Sequence, residues 1–246
     1  MSYFNIIKLD AIASTNDELK IRYRNGSCAN GDLVWTKHQF SGRGQRQNNW
    51  VSDSNNSLTF SIFRSFEPQG LPIDFSLNIA VAVALIKTLQ FFSIPQLAIK
   101  WPNDILSGDK KVGGILIENF LRKKKINASV VGIGLNVNQK KFDQLPNATS
   151  MFLGSNKEFK LEVVFKRLLY ELESTFFTSE AHKEILHVFY ENHLWKKGKL
   201  TFFESQNEPF QATPIGITEH GNLRVINEQK EELIIDPQKI RQSYLI

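Results

Sequence analysis

Two apolar stretches near the middle of the chain, KVGGILIE at residues 111–118 and ASVVGIGLNVN at residues 128–138, decide the fold class. Both are rich in valine and isoleucine, which favour β-strands, and a polar turn at Lys123–Lys125 separates them. We therefore predict two neighbouring strands, Lys111–Glu118 and Ala128–Asn138. Glycine weakens a strand and often marks the close approach of a ligand or of another backbone. Four glycines lie in these strands: Gly113, Gly114, Gly132 and Gly134. Packing against a helix is the other explanation for them.

Helices and further strands surround this pair in the sequence. The clearest helix is predicted over Asp74–Phe92, because leucine and valine recur there every four residues and Pro95 lies beyond its end. The pattern S/T-x-x-D/E within Ser14–Glu18 predicts the start of another helix. Two more helices are predicted, over Phe159–Phe177 and Ser179–Trp195. Strands are predicted at Phe4–Leu9 (an edge strand), Asp32–Thr36, Ser57–Phe63 (half-buried) and Leu97–Trp101, and residues 40–50 as a loop.

The character of the chain changes after Trp195. A short basic hinge, Lys196–Gly198, is followed by brief strand-like runs with turns between them. The runs are Leu200–Phe203, Phe210–Ile217, Leu223–Ile226 and Glu232–Ile235, and the turns lie at Gln206–Asn207, His220–Asn222 and Glu228–Gln229. Several short strands in about 50 residues favour a small antiparallel barrel. We therefore predict an α+β protein with two domains, residues 1–195 and residues 196–246.

Composition limits the classes of function. With 246 residues, 41% hydrophobic and 22% charged, the chain is long enough for a full core and is not expected to be disordered. A net charge of +5 favours anionic ligands but is too small to argue for nucleic acid alone. The longest apolar run, Ile79–Ile86, is far shorter than a membrane span, and residues 1–10 do not resemble a signal peptide. We expect a cytoplasmic protein without membrane association.

Cysteine and histidine give no support for a disulfide or for a zinc site. Cys28 is the single cysteine, so no internal disulfide can form, and the five histidines form no H-E-x-x-H pattern.

Two segments carry groups that suit an anionic ligand. Residues 41–50 (SGRGQRQNNW) place glycines around Arg43, so that backbone N–H groups can approach an anion beside a permanently charged donor. Lys100 ends a predicted strand within KWPND, residues 100–104, at a position where ligands tend to bind in α/β sheets. Each segment also fits a plainer interpretation. The first could be a solvated loop, and the second a strand-ending turn with Trp101 in the core.

Taken together and in this order, five segments resemble the biotin–protein ligase family. They are Ser14–Asn16 (S-T-N), Gln39–Trp50 (Q-x-x-G-R-G with a later W), Lys100–Asp104 (K-W-P-N-D), Lys111–Glu118 (K-x-x-G-I-L-x-E) and Gly132–Asn136 (G-x-G-x-N). Each motif alone is weak, but five in register are specific, and the likeness extends over essentially the whole chain. The five motifs together favour a binding site over a solvated loop, a strand-ending turn or glycines that only pack against a helix.

The resemblance implies a fold and a reaction. The fold is a mixed sheet flanked by helices, similar to a class II synthetase catalytic domain, with a small SH3-like C-terminal barrel. In the first step the carboxylate of biotin attacks the α-phosphate of ATP, expels pyrophosphate and forms biotinyl-5′-AMP. In the second, the ε-amine of a lysine on a biotin carboxyl carrier protein takes the biotinyl group and releases AMP. Mg²⁺ would be bound to the phosphates, with no protein ligand assigned to it.

The same resemblance implies roles for individual residues. Arg43 and Lys100 are the expected catalytic cations, which offset the repulsion between a carboxylate and a phosphate. The expected biotin-binding residues are Ser14, Thr15, Asn16, Gln39, Gly42, Arg43, Gly44, Gln45, Lys100, Gly114, Gly132 and Gly134. The expected ATP- and adenylate-binding residues are Arg43, Arg46, Trp50, Asn103 and Asn136.

The chain departs from the family pattern in the loop. Many members continue as G-R-G-R-x-G-R-x-W, whereas this chain has Gln45, Gln47 and Asn48 at those places, so its loop carries less charge. The consequence for holding the adenylate is left open. Some members carry an N-terminal DNA-binding domain, but only 13 residues precede Ser14 here, so DNA binding is not expected. The resemblance leaves a homodimer open.

Other functions remain alternatives at this point. Lipoate or octanoate ligases and transferases are similar in fold but lack the Gly-Arg-Gly loop and the KWPND block in this form. A non-catalytic biotin-binding adaptor is a second alternative, against which the retention of both Arg43 and Lys100 argues. An RNA-binding module on the C-terminal strands is a third, but those strands carry few aromatic residues at alternating positions for stacking bases.

Overall fold

The computed structural model describes residues 3–143, 145–177, 179–205 and 208–244, without the side chains of Gln47, Glu180 and Ala181. In chain order the strands are β1 (Asn5–Ile12), β2 (Asp32–Gln39), β3 (Gly42–Arg43), β4 (Asn49–Trp50), β5 (Ser57–Ser65), β6 (Leu97–Lys100), β7 (Asp104–Ser107), β8 (Lys110–Arg122), β9 (Lys125–Asn136), β10 (Thr201–Glu204), β11 (Phe210–Ile217), β12 (Leu223–Asn227), β13 (Glu232–Ile235) and β14 (Arg241–Gln242). The helices are α1 (Thr15–Arg24), α2 (Ser76–Phe91), α3 (Met151–Ser155), α4 (Leu161–Phe176) and α5 (Glu180–Asn192). The predicted turn at Gln206 and Asn207 lies outside the described residues.

A seven-stranded mixed sheet forms the larger part of the molecule, with the strand order β1-β2-β5-β9-β8-β7-β6. β1 is parallel to β2 and lies at one edge, and the other neighbours are antiparallel. The central pair is β8 and β9, in which Gly114 lies opposite Gly134. The predictions of a mixed sheet and of an N-terminal edge strand are confirmed.

Helices cover the two faces of this sheet unequally. On one face α2 packs with α4 and α5 over a continuous apolar core, and Val81, Leu85 and Leu89 of α2 are fully buried. On the other face α1 packs through Leu19 against Val34 and residues of β5 and β9. Ser14 caps this helix by accepting a hydrogen bond from the backbone N–H of Asp17 at 3.3 Å, as the sequence pattern predicts. The single helix α1 leaves the rest of that face free to form a cavity.

β5 is buried on both faces, so the prediction of a half-buried strand is wrong. Its apolar positions Leu58, Phe60 and Ile62 face the core beneath α2. The alternate polar positions do not face solvent, because the hydroxyl of Ser61 lies 2.6 Å from that of Thr15 at the start of α1. The polar positions of β5 therefore form a second buried face, in which Ser61 bonds to Thr15 and Asn16.

The C-terminal strands form a five-stranded antiparallel sheet with the order β13-β12-β11-β10-β14. Among the described residues β13 and β14 do not pair, so the predicted barrel is not closed. The reason lies in residues 236–240, which leave the ladder after β13 and reach the 40–50 loop, where the carbonyls of Pro237 and Ile240 accept hydrogen bonds from Arg46. This sheet shares the main core through Phe203, and the indole N–H of Trp101 donates to the carbonyl of Gly221 at 2.7 Å. The division into domains at residue 195 stays a prediction.

The other differences from the sequence prediction concern short elements and the end of α5. The sequence analysis missed α3, β7 and β14, which are two to five residues long and too short to show a period. The loop at 40–50 contains the two-residue pair β3 and β4. α5 ends at Asn192 instead of Trp195, because residues 193–195 bond to β6: the backbone N–H of Trp195 donates to the carbonyl of Ile99 at 2.8 Å.

Candidate active site

A cavity of about 270 Å³ opens on the α1 face of the large sheet. Its walls are the start of α1, the 40–50 loop, the β6–β7 turn and the C-terminal segment that ends at Tyr244. The predicted site residues that line it are Ser14, Thr15, Asn16, Gln39, Arg43, Gly44, Gln45, Arg46, Trp50, Lys100, Asn103, Gly114, Gly132 and Gly134. Segments far apart in sequence thus meet at one place.

Two predicted residues do not line this cavity. Gly42 is buried in the β3–β4 pair, where an added Cβ would lie 2.4 Å from the carbonyl oxygen of Trp50. Asn136 is buried near the end of β9, and its amide donates to the carbonyl of Thr149 at 2.9 Å. Both residues therefore pack beside the cavity, and neither of them lines it.

A network of short polar side chains builds the end of the cavity nearest α1. The side-chain oxygen of Gln39 accepts hydrogen bonds from the backbone N–H of Thr15 at 2.9 Å and from its hydroxyl at 3.2 Å. The hydroxyl of Ser61 donates to the side-chain oxygen of Asn16 at 2.5 Å. These bonds fix neutral donors and acceptors in place before any ligand arrives, which suits a neutral polar group.

Two buried polar atoms that line the cavity have no hydrogen-bond partner among the described residues. They are the hydroxyl oxygen of Thr59 and the indole nitrogen of Trp50. An unpaired buried polar group costs about 1–3 kcal/mol, and such groups in native structures often mark a ligand or water position. These two atoms are therefore candidates for hydrogen bonds to a polar ligand.

Three glycines, Gly114, Gly132 and Gly134, are among the residues of β8 and β9 that line the cavity. An added Cβ at Gly132 would lie 2.3 Å from the side-chain oxygen of Asn16, and one at Gly134 would lie 2.3 Å from the ring of Trp50. At Gly114 the nearest atom would be in the Lys111 side chain, at 3.1 Å. Close approach thus requires glycine at positions 132 and 134, and the group that lies over Gly134 in this structure is the chain's own Trp50.

An ion-pair cluster joins the 40–50 loop to the rest of the site. Arg43 bonds both oxygens of Glu118 and pairs with Asp17, and Lys20 pairs with the same two carboxylates. Burial acts to raise the pKa of Glu118, but hydrogen bonds from Lys20, Asn16 and Arg43 together lower it below its usual value. Glu118 is therefore ionised at neutral pH and holds the loop through charge.

Two lysines that line the cavity, Lys100 and Lys111, both interact with Asp104 at the start of β7. Lys100 is 8% exposed, and burial lowers the pKa of its amine to about 8, against the opposing effect of Asp104. Lys111 pairs with a carboxylate oxygen of Asp104 at 2.7 Å. A buried ammonium whose charge is not fully neutralised is well suited to attract an anion.

Three residues of this site were inside the quoted motifs but received no role from the sequence. They are Asp104, Lys111 and Glu118, and their presence in K-W-P-N-D and K-x-x-G-I-L-x-E was the signal that could have found them. Thr59 and Tyr244 carry no such signal, because each lines the cavity only through the tertiary fold.

Other reactive groups of the described residues do not form a second centre. Burial, followed by the nearby Asp32, raises the pKa of the Cys28 thiol to about 12, so it is not a nucleophile at neutral pH. The described residues contain no group of three or more histidine, cysteine, aspartate or glutamate side chains that could hold a metal ion. No described helix is both long and apolar enough to cross a membrane.

Comparison with known proteins gives three kinds of likeness. The profile of the Biotin/lipoate A/B protein ligase family matches residues 9–136. The chain is 29% identical over 227 residues to the bifunctional ligase/repressor BirA of Bacillus spizizenii, covering 89% of this chain and 68% of that protein. It is 30% identical over 176 residues to the biotin–[acetyl-CoA-carboxylase] ligase of Mycobacterium tuberculosis, covering 68% of this chain and 63% of that protein.

Among solved structures, the biotin protein ligase from Aquifex aeolicus in complex with biotin and ATP superposes with a TM-score of 0.78. The two sequences are 23% identical, and the alignment covers 97% of this chain and 99% of that chain. This likeness shows a shared fold over the whole length, including the C-terminal sheet.

Proposed function

The chain belongs to the biotin/lipoate A/B protein ligase family, and we propose that it activates biotin with ATP to biotinyl-5′-AMP and transfers the biotinyl group to a lysine of a biotin carboxyl carrier protein. The observation that carries this proposal is the layout of the cavity. Neutral polar side chains held in place at Thr15 and Gln39 line the same cavity as two lysines, Lys100 and Lys111, and as the glycines of β8 and β9. Biotin has the matching layout, with a neutral ureido group at one end and a carboxylate at the other.

The first step brings two anions together. A carboxylate oxygen of biotin forms a bond to the α-phosphorus of ATP, and the bond from that phosphorus to the bridging oxygen breaks as pyrophosphate leaves. The ammonium groups of Lys100 and Lys111 would offset the repulsion and the charge that develops on the phosphate oxygens. With its pKa near 8, Lys100 carries its proton at neutral pH and serves as an electrostatic group and not as a base.

Magnesium would enter with the nucleotide. Mg²⁺ is usually bound by one or two carboxylates together with substrate phosphates and water, and seldom by an all-protein cage. The part of the chain that the structure describes offers no such cage, and Asp104, the carboxylate nearest the lysines, is paired with Lys111. These features fit an ion held mainly by the phosphates, where it would neutralise their charge.

The second step needs the mixed anhydride to survive until the carrier lysine arrives. The amine of that lysine bonds to the acyl carbon, the bond from that carbon to the phosphate oxygen breaks, AMP leaves and the amine gives up a proton to water. The 40–50 loop suits the protection of the anhydride, because Arg43 and Arg46 tie it over the cavity at two ends. Asn103 and Arg46 are proposed to contact the nucleotide part.

The polar end of the cavity favours biotin over lipoate or octanoate within the same family. Those acids have no ureido group, so the hydroxyl of Thr59, which has no hydrogen-bond partner among the described residues, would remain unpaired, at a cost of about 1–3 kcal/mol. A non-catalytic adaptor would have no need for the buried Lys100, because burying an ammonium costs stability.

The test is release of pyrophosphate by the purified chain with ATP and biotin, followed by mass spectrometry of an added biotin carboxyl carrier domain. We expect pyrophosphate only with biotin and a biotin adduct on one carrier lysine. Lipoate and octanoate are the matched alternative substrates, and titration calorimetry with each acid gives the binding order. Binding of biotin without pyrophosphate would instead support the adaptor. Cytoplasmic location and the absence of DNA binding stay predictions from the sequence, which leaves the oligomeric state open.

A further inference from the structure

Tyr244 is the residue of the C-terminal segment that contacts Lys100 and Asp104. The centre of its ring lies 4.3 Å from Nζ of Lys100. Its hydroxyl donates a hydrogen bond to Oδ2 of Asp104 at 3.2 Å, and the other oxygen of Asp104 accepts from Lys111 at 2.7 Å. One side chain from the end of the chain therefore contacts Lys100 directly and Lys111 through Asp104.

Backbone pairing fixes where Tyr244 lies. β14 pairs with β10, where Gln242 lies opposite Phe203, and the backbone N–H of Ser243 donates to the carbonyl of Phe202 at 2.9 Å. The side chain of Gln242 donates to the carbonyl of Trp195, whose own N–H bonds to β6 one residue before Lys100. The ring of Tyr244 is thus placed against the end of β6 by a continuous set of hydrogen bonds.

Both contacts of Tyr244, the one with Lys100 and the one with Asp104, depend on which part of its side chain faces the partner. An aromatic face attracts an ammonium, most strongly where water is excluded. Burial and the neighbouring Asp104 raise the pKa of the Tyr244 phenol above its usual value, so the hydroxyl keeps its proton and donates. Donation to Oδ2 leaves Oδ1 of Asp104 directed at Lys111.

We propose that Tyr244 is a positioning residue for activation of the acid, holding the Lys100 ammonium and the Asp104–Lys111 pair in the arrangement in which they meet the substrate. Its kinetic consequence rests on the proposed function, whereas its effect on Lys100 can be measured without any substrate. Tyr244 is the nearer of the two aromatic rings at Lys100, since the centre of the Trp195 ring lies 6.0 Å from Nζ.

The first test measures Lys100 itself. Trace acetylation with acetic anhydride across pH 6.5–10, read by mass spectrometry of the Lys100 peptide, gives the pKa of its amine in the full chain. The charged groups that face it are Asp104, Lys111, Glu204 and Arg241, and all of them are kept. Tyr244→Leu keeps an apolar side chain but removes the aromatic face, so we expect the pKa of Lys100 to fall by about one unit. Tyr244→Phe keeps the ring and should leave it within about 0.3 units of the wild type.

A matched substitution separates this effect from a general loss of order. Tyr170→Leu changes an exposed tyrosine on α4, away from the cavity, and should leave the Lys100 titration unchanged. Circular dichroism checks that all three variants fold. A wild-type titration in Tyr244→Leu would overturn the proposal, and so would an equal shift in Tyr244→Phe and Tyr244→Leu.

The second test is kinetic. In pyrophosphate release we expect Tyr244→Leu to lower kcat about tenfold and to change the KM for biotin less than about threefold, because a displaced cation acts on the transition state. Tyr244→Phe should restore most of the loss and leave about a threefold deficit from the missing bond to Asp104. An unchanged kcat in Tyr244→Leu contradicts the positioning role. Absence of pyrophosphate from the wild type would instead contradict the proposed function, and the titration of Lys100 would still decide whether Tyr244 holds it.

Discussion

The guanidinium of Arg43 donates through one nitrogen to both carboxylate oxygens of Glu118, at 2.8 Å each. It also pairs with Asp17 at 2.9 Å, so the 40–50 loop is tied to β8 and to α1 at once. The Arg43 side chain is 41% exposed, and ion pairs at such positions contribute about 0–1 kcal/mol. Arg43 therefore helps to hold the 40–50 loop against β8 and α1, in addition to its expected role as a cation near the phosphates.

Weakening the ion pairs of Arg43 should shorten the time for which the adenylate stays bound. In Glu118→Gln the acceptor of Arg43 and Lys20 loses its charge, and we expect preformed biotinyl-5′-AMP to dissociate about threefold faster. Stopped-flow fluorescence of Trp50 measures this rate. Glu158→Gln breaks an exposed pair with Lys140, outside the cavity lining, and should leave the rate unchanged. An unchanged rate in Glu118→Gln would show that the loop is held by other contacts.

Lys100→Met tests the electrostatic role directly. Methionine is unbranched and fills the same space, so the fold should remain. Losing a preorganised cation costs on the order of 3 kcal/mol, and we expect pyrophosphate release to fall roughly a hundredfold. Lys166→Met on the exposed side of α4 is the control. Release within about threefold of the wild type would remove Lys100 from the mechanism.

The same substitution should stabilise the protein at neutral pH. The pKa of Lys100 is lowered in the folded state to about 8 from 10.5, so folding must bury an ammonium that the unfolded chain holds in water. This cost is fully present below pH 8 and declines as pH rises toward the unfolded value, at about 1.4 kcal/mol per unit. We expect Lys100→Met to raise the free energy of unfolding by about 1–3 kcal/mol at pH 7 and by little at pH 10. Urea denaturation at both pH values measures this, and equal effects would mean that burial of the charge is not the cause.

Gly134→Ala tests whether the cavity must be free of a side chain at this position. The new Cβ would lie 2.3 Å from the ring of Trp50, so the indole and the loop behind it must move. We expect a KM for biotin at least about tenfold higher, from roughly 1.4 kcal/mol of lost binding, with a fluorescence change at Trp50. Gly154→Ala lies in α3, where the nearest atom would be 3.2 Å away, and should behave as the wild type. Normal binding by Gly134→Ala would mean that the ligand does not use this part of the cavity.

Sequence alone predicted those parts of the fold that rest on local periodicity. The burial of Val81 and Leu85 in α2 follows from their spacing, and the β8–β9 pair follows from its composition. The buried polar face of β5 could not be predicted in this way, because Ser61 is covered by Asn16, which is 45 residues earlier.

The candidate site shows the same limit. Motif residues such as Gln39 and Lys100 were found because their neighbours in sequence are characteristic. Tyr244 was not, because its partner Asp104 is 140 residues away and no motif includes it. Asn136 is the opposite case: its motif is present, but its amide bonds to the backbone of Thr149 instead of facing the cavity.

Gln45 is the position at which the loop departs from the family pattern while still lining the cavity. Many related sequences have arginine there, and the resemblance implies that it helps to hold the adenylate. A neutral amide still donates hydrogen bonds, but without charge each is worth about half as much. Arg43 and Arg46 remain in the loop, although here they bond to Glu118 and to the carbonyl of Ile240.

We therefore expect Gln45→Arg to slow the dissociation of biotinyl-5′-AMP by about fivefold, since the difference is roughly 1 kcal/mol. The first step should be nearly unchanged, because the lysines are untouched. Stopped-flow fluorescence of preformed adenylate compares the two proteins, with Gln45→Lys as a variant of equal charge but without the planar fork. If the arginine variant loses adenylate as fast as the wild type, position 45 does not contribute to retention. If lysine slows it as much as arginine, charge alone is responsible and the geometry of the guanidinium is not.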